Sequence, residues 1–597
     1  MASLFLYYKP QLENCIRALC LAAFLLCGNF IARSQRIMEN LGRGLIAIKQ
    51  PGGKVYIGWR MLGTDPNTIS FNLYKAAGAK KSIKLNAQPI IASTNYVDTN
   101  VDTTVSNTYT VRPIIGGKEA SPGESFTIAA KAIARQYFSI PLKTPAGYTP
   151  NDASVGDLDG DGEYEIILHQ TGRSIDTPSP GISGIPIFQA YKLDGTFLWE
   201  INLGRNIREG AHYTQFIVID MDGDGISEFA CKTADGTIDG KGKVIGDSTK
   251  DYRNHDPNSR ALYGKILNGP EYFTVFNGRT VDGKLPSVLM CRGYYGRTVI
   301  AAWDFRNGKL TTRWVFDSKD GENPYSGQGN HGLSIADVDN DGKDEVVYGA
   351  MVVDDNGQGL FSTGLRHGDA LHVSDFDLAR PGLEVFGVHE IEEGTKGPGA
   401  ALYDAKTGEI LWSGHDDEDV GRGVAGNIDT DNPGGEMWFS GSNGLLDVKG
   451  KAIGPQPSST NFLIWWDADF TRELLNNNRI DKYKQGPIFT AVGCQSNNGT
   501  KSTPALSADI LGDWREELIM RSADNKELRI YTTTIPTGHR LYTLMHDPQY
   551  RMAIAWQNVA YNQPPHPGFY IGEDMKPAPK PNIALNKARG DSLTKNK

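Results

Sequence analysis

An all-β fold, an eight-bladed β-propeller behind a small β-sandwich, is what this 597-residue sequence predicts. Three observations point there. Short alternating strands are broken by turn residues, an acidic loop recurs at intervals of tens of residues, and helical periodicity is nearly absent. Glycine numbers 68, enough to supply the positive φ that many tight turns need. The length exceeds one ordinary domain and suits one large architecture with a smaller module.

Residues 1–34 carry the pattern of a signal peptide. Lys9 and Arg17 give positive charge, ALCLAAFLLC at 18–27 is a short apolar core, and Ala32-Arg33-Ser34 is a small-x-small cleavage site before Gln35. The apolar run is too short to span a bilayer well. A secreted or periplasmic product, free of the membrane after cleavage, is the expectation. Cys15, Cys20 and Cys27 fall in this segment. The remaining Cys231, Cys291 and Cys494 make no disulfide scaffold and leave either one bridge or three separate thiols.

Residues 35–135 read as the β-sandwich. GLIAIK at 44–49, with Ile46 and Ile48 alternating, and the stretches 55–59, 70–74 and 109–113 give strand signals with polar turns between them. The propeller is placed at 136–578. There DLDGDGEYE at 157–165, DMDGDGISE at 220–228 and DVDNDGKDE at 337–345 are each followed by an apolar or β-branched run. Looser relatives begin at Asp375, Asn427 and Asp509. About 440 residues divide into roughly eight blades of ~50 residues each. The long interval between 220 and 337 leaves room for a blade without an acidic loop, and a closed ring hides sheet edges. FTRELL at 470–475 is the best helical signal. The tail 579–597, rich in Pro, Asn and Lys, is expected to be flexible.

The acidic loops point to calcium. Asp157, Asp159, Asp161 and Glu165 make one set, Asp220, Asp222, Asp224 and Glu228 a second, and Asp337, Asp339, Asp341 and Glu345 a third. Alternate carboxylates in a tight loop face one centre, and hard oxygen ligands select Ca²⁺ over softer metals. The Glu lies eight residues after the first Asp, too near for an EF-hand, and a strand follows where an EF-hand has a helix. Recurrence of one loop type argues that these ions pin turns and do not carry chemistry.

The net charge is −9 with no basic stretch, which argues against nucleic acid. His331, His367, Asp369 and Glu390, drawn from QGNH, RHGD and VHE stretches, could meet as one mixed nitrogen and oxygen metal site. The bland reading is that each hydrogen-bonds separately in its own turn. SNNGTKST at 496–503 is either an ordinary turn or a sugar-binding loop bearing one lysine. Arg422, flanked by glycines in VGRG, could receive a carboxylate at close range or be a plain surface arginine.

The stretches 43–74, 211–237, 366–390 and 458–475 resemble the rhamnogalacturonan lyases of polysaccharide lyase family 11, over nearly the whole mature chain. The resemblance implies an N-terminal β-domain, an eight-bladed propeller, several bound Ca²⁺ ions and β-elimination of an acidic plant cell-wall polysaccharide at the bond to galacturonate O4. It further implies His331, His367, Asp369 and Glu390 as the central metal ligands. Asn498, Gly499, Thr500, Ala560 and Tyr561 are implied as substrate contacts, and Lys501 and Arg422 as catalytic residues. Asp176-Thr177 departs from the family's Asp-Asn. Lys501 is the preferred base because guanidinium is a poor one, with Arg422 as the alternative. A monomer is the expected state. A non-catalytic, calcium-dependent carbohydrate-binding or adhesion propeller is the competing function, and a two-carboxylate glycoside hydrolase a third.

Overall fold

The structure, a computed structural model, describes residues 35–176, 178–210, 214–276, 285–319, 323–391, 396–559 and 561–586. The signal-peptide assignment to 1–34 and the candidate Ala560 lie outside the described residues. The chain is all-β, and among the described residues one α-helix, Pro548–Trp556, interrupts the strands.

Two small sheets come first. Val55–Gly58 lies between Ile46–Lys49 and Asn95–Asp98. Ser70–Ala77 pairs with Asn107–Ile115, which also carries Glu124–Ile128. Alternation sends Phe71 and Leu73, then Tyr109 and Val111, to one fully buried core with Ile57 and Trp59. Trp59 meets Phe71 edge to face at 5.6 Å.

From residue 137 antiparallel sheets succeed one another along the chain. Those opened by Ser334–Ala336, Ala370–Ser374, Gly423–Gly426 and Phe462–Ile464 are four-stranded and keep strict sequence order. One sheet draws on both ends of the segment, because Tyr137–Pro141 pairs with Glu527–Tyr531. The apolar runs after the acidic loops become the strands Glu165–Thr171, Glu228–Ala234 and Glu345–Val347, almost wholly buried.

Residues 470–475 do not form a helix. They lead into the strand Glu473–Asn476, which pairs with Phe462–Ile464 and Arg479–Lys482. Six residues make fewer than two helical turns, and burial of Leu474 and Leu475 against neighbouring strands wins. The helix that does form starts on Asp547, whose side chain accepts from Tyr550 N at 2.8 Å, with Pro548 in the first turn. Gln549, Tyr550, Arg551, Ala553, Ile554 and Ala555 are all buried, so no apolar stripe marks it in the sequence. It packs on the strands Thr149–Gly156, Phe216–Ile219 and Ser334–Ala336, which open three different sheets. Gln549 also donates to Val373 O at 2.8 Å, and Gln557 to Ser507 O at 2.9 Å.

Part of the segment expected to be flexible is paired. Ile583–Leu585 runs parallel to Arg36–Met38, and Ile583 is buried. Composition alone did not reveal that an edge awaited it. Cys231, Cys291 and Cys494 are free thiols. No helix among the described residues is long and apolar enough to cross a membrane.

Candidate active site

Backbone hydrogen bonds bring three distant segments together before any side chains meet. Asn330 bridges Gly368, His331 N donates to Gly368 O at 3.2 Å, and Glu390 N donates to His367 O at 2.9 Å. His331 precedes the strand Ser334–Ala336, His367 and Asp369 precede Ala370–Ser374, and Glu390 follows Glu384–Val388. Gly368 makes the approach possible, since a Cβ there would lie 1.9 Å from the Val388 carbonyl oxygen. Gly368→Ala is therefore expected to cost about 1–3 kcal/mol through overpacking, read as a lower melting temperature with a parallel loss of activity.

Donor atoms of His331, His367, Asp369 and Glu390 lie within 4.8 Å of one another. His367 Nδ1 stands 2.7 Å from Gly329 O. A carbonyl can only accept, so Nδ1 carries the proton and Nε2 presents its lone pair toward the group. His331 Nε2 is 3.2 Å from Asp369 Oδ1. Burial first, and Glu390 second, push the Asp369 carboxyl up to about 7. Burial and then Asp419 raise Glu390 as well. Two imidazoles and two crowded, desolvated carboxylates fit a divalent cation, which would relieve both penalties.

The lysine arrives on a separate turn, Gly499–Lys501, entered through Asn498 at φ 60° and left through Ser502 at φ 50°. Arg422 holds that turn, donating to Thr500 O at 2.7 Å, to Thr500 Oγ1 at 2.9 Å and to Asn461 Oδ1 at 2.9 Å. The Asn498 amide points inward, to Asp152 at 3.0 Å and Thr503 Oγ1 at 2.8 Å. The space above Gly499 is open. Lys501 Nζ sits 3.4 Å from the centroid of Tyr561, and the same ring lies 4.3 Å from the His331 ring. One ring thus joins the lysine to the His331, His367, Asp369 and Glu390 group. Burial chiefly lowers the Lys501 pKa, helped by Arg422 and opposed by Asp369 and Glu390.

The acidic loops share one construction. The backbone N–H after the loop's first residue donates to the closing glutamate's Oε2: Leu158 to Glu165 at 2.7 Å, Met221 to Glu228 at 2.6 Å and Val338 to Glu345 at 2.9 Å. The looser relatives do the same, with Phe376 to Glu384 and Ile428 to Glu436 at 2.8 Å, and Ile510 to Glu517 at 2.9 Å. The other oxygen, Oε1, is buried without a hydrogen-bond partner among the described residues in Glu228, Glu345, Glu384 and Glu436. Such an atom suits a metal ligand. Asp220, Asp222, Asp224 and Glu228 gather as four, while Asp157, Asp159 and Glu165, and Asp337, Asp339 and Glu345, gather as three. Asp161 and Asp341 stand outside their triplets, facing Lys192 and Lys343 at 3.1 Å.

Comparison with known proteins follows the same lines. Residues 137–281 and 280–581 match the family described as rhamnogalacturonan lyase family 11, C-terminal domain, and residues 36–128 match the rhamnogalacturonan I lyases beta-sheet domain. The chain belongs to rhamnogalacturonan lyase family 11. It is 50% identical over 602 residues to the rhamnogalacturonan endolyase YesW of Bacillus subtilis, covering 92% of this chain and 93% of that protein. To the rhamnogalacturonan exolyase YesX of the same organism it is 48% identical over 627 residues, covering 94% and 99%. The solved Bacillus licheniformis rhamnogalacturonan lyase PL11 is similar at 51% identity and a TM-score of 0.85, over 92% of this chain and all of that one.

Several groups in this family-11 chain gave no signal in the sequence. Tyr294 stacks on His367 at 4.9 Å and Tyr295 lies 4.3 Å from the same ring. The Tyr295 hydroxyl reaches Glu390 Oε2 at 3.4 Å. Asp419, Asn461 and Asp152 act behind the ligands and the turn. Adjacent tyrosines and isolated Asp or Asn residues are too common to stand out without the fold.

Proposed function

We infer that this chain cleaves the rhamnose–galacturonate backbone of pectin by β-elimination, with Lys501 as the base. The observation that carries the reading is the Tyr561 ring, which places a desolvated lysine beside a four-residue cation-binding group. An amine with a lowered pKa beside the half-buried Asp369 and Glu390 carboxylates supports this reading over a purely adhesive propeller.

The fold proposed is an eight-bladed propeller over 136–578 behind a β-sandwich over 35–135. Its support is the succession of antiparallel sheets, the strand exchange between Tyr137–Pro141 and Glu527–Tyr531, and the convergence of sheet-opening strands on the helix Pro548–Trp556. Calcium is the proposed ion in the acidic loops and at the His331, His367, Asp369 and Glu390 group. A cleaved segment 1–34 and a secreted or periplasmic, monomeric product complete the proposal.

The neutral Lys501 amine accepts the C5 proton of galacturonate. The C5–H electron pair becomes the C4–C5 double bond, and the C4–O4 bond breaks with its pair leaving on oxygen, which then takes a proton from water, and the lysine later loses its own to solvent. A cation in the four-residue group, when bound, would withdraw charge from the uronate carboxylate and make the C5 hydrogen more acidic. Arg422 keeps Thr500, and so the lysine, in place, with three of its five N–H donors on Thr500 and Asn461. The decisive test is purified rhamnogalacturonan against homogalacturonan, watching ultraviolet absorbance of the unsaturated uronate. Absorbance from rhamnogalacturonan is expected, and release of saturated sugars alone would sink the reading.

Chelation should lower both the melting temperature and activity, and added calcium should restore both. Each calcium site contributes about 2.7 kcal/mol at a hundredfold excess over its Kd. A melting temperature indifferent to thorough chelation would remove the calcium loops from the account.

A further inference from the structure

A seventh loop shares the construction of the acidic loops without their opening residue. Trp466 N donates to Glu473 Oε2 at 2.8 Å, as the residue after the first Asp does elsewhere. In that alignment Trp465 stands where Asp157, Asp220 and Asp337 stand, while Asp467, Asp469 and Glu473 keep the third, fifth and ninth places. The Glu473 carboxylate is fully buried. Its Oε1, the atom buried without a hydrogen-bond partner in four sister loops, accepts from Lys482 Nζ at 2.9 Å.

Lys482 meets every remaining ligand of the loop. Its Nζ lies 2.8 Å from Asp467 Oδ2, 2.9 Å from both Asp469 oxygens and 2.6 Å from Thr471 Oγ1. The residue is 5% exposed, at the end of the strand Arg479–Lys482. An ammonium has three protons to donate, and here oxygen atoms surround it. Lys192, Lys343 and Lys484 also approach acidic loops, but with side chains far more exposed than that of Lys482. Lys192, just past the strand Ile187–Tyr191, is 2.6 Å from Asp159 Oδ2, 3.1 Å from Asp161 Oδ2 and 3.5 Å from Glu165 Oε1, but its side chain is 28% exposed and its loop retains Asp157. Lys484 touches Asp429 and Asp431 with a side chain 40% exposed.

We propose that Lys482 is the resident cation of this seventh loop. Its ammonium stands where a divalent ion stands in the sister loops, so the loop takes no metal while Lys482 is present and becomes a divalent-cation site once the ammonium is removed. The proposal rests on the calcium reading of the sister loops only for its comparison, and the test separates the two. A lysine tethered by its own strand cannot be chelated or diluted away, so this turn holds at calcium levels that strip the others.

The experiment is calcium content per chain, measured on full-length protein purified in calcium and freed of loose ion, for the wild type, Lys482→Met and Asp469→Asn. Lys482→Met is expected to hold one calcium more than the wild type, and its melting temperature to depend more steeply on calcium. Asp469→Asn, which leaves Asp467, Thr471 and Glu473 to hold the lysine, is expected to match the wild-type content. An unchanged count in Lys482→Met overturns the proposal. So does a count one lower in Asp469→Asn, a result that remains decisive if the methionine variant fails to fold. A wild type without calcium, paired with a methionine variant holding one ion, upholds Lys482 and retires the sister-loop reading instead.

Discussion

Lys501→Ala should lower turnover of rhamnogalacturonan by roughly 10²–10⁴-fold, the usual contribution of a positioned general base, while the protein melts as before. Lys501→Arg should be nearly as inactive, because guanidinium keeps the charge but holds its proton. The pH dependence follows from the shift. The free amine is the working form, so activity rises with pH through the Lys501 pKa, which lies below the ordinary 10.5. Arg422 is one of the groups that push it down, so Arg422→Ala should move the rising limb toward higher pH as well as loosen the turn. Near-normal turnover in Lys501→Ala would transfer the base role elsewhere. A pH profile identical in Arg422→Ala would deny the electrostatic link between the two side chains.

Arg551→Met should produce the largest loss of stability of any single change considered. Arg551 is 1% exposed on the helix Pro548–Trp556 and its guanidinium donates to Glu39, itself 3% exposed. It also donates to the carbonyls of Val155 at 3.4 Å and Val218 at 3.2 Å, on two neighbouring sheets. Removing the cation strands the Glu39 carboxylate in the interior, a cost of about 3–5 kcal/mol. The double variant Glu39→Gln with Arg551→Met should be more stable than Arg551→Met alone, because the orphaned charge is gone. Urea midpoints of the two variants check this, and equal midpoints would show that packing, not the buried pair, sets the loss.

What could be read without coordinates was whatever local chemistry writes down. Asp157, Asp220 and Asp337 announced their loops because a carboxylate every second residue with glycines between has one ready explanation. Ile46 and Ile48 announced a strand by period alone. The seventh loop escaped because Trp465 replaces the residue that defines the pattern, and its cation comes from Lys482, beyond the loop itself. The helix escaped because burial on every side erases amphipathic signal, although Asp547-Pro548 marked its start. His331, His367, Asp369 and Glu390 could be named as candidates, but only the bridge between Asn330 and Gly368 shows that they meet. Tyr295, Asp419 and Asp152 depend on contacts between distant segments, which no spacing rule encodes.

The pairing of Tyr137–Pro141 with Glu527–Tyr531 sets an order of events for the chain. Ile140 meets Leu528, so an early strand stays an open template until nearly all of the polypeptide has been made. The contact is among the most distant in the molecule, and closing such a loop is entropically slow. Until that pairing forms, the sheet built on Glu527–Tyr531 lacks its outer strand. Loss of the final seventy residues would therefore leave a polypeptide that never latches, and proteases would clear it before it met a substrate.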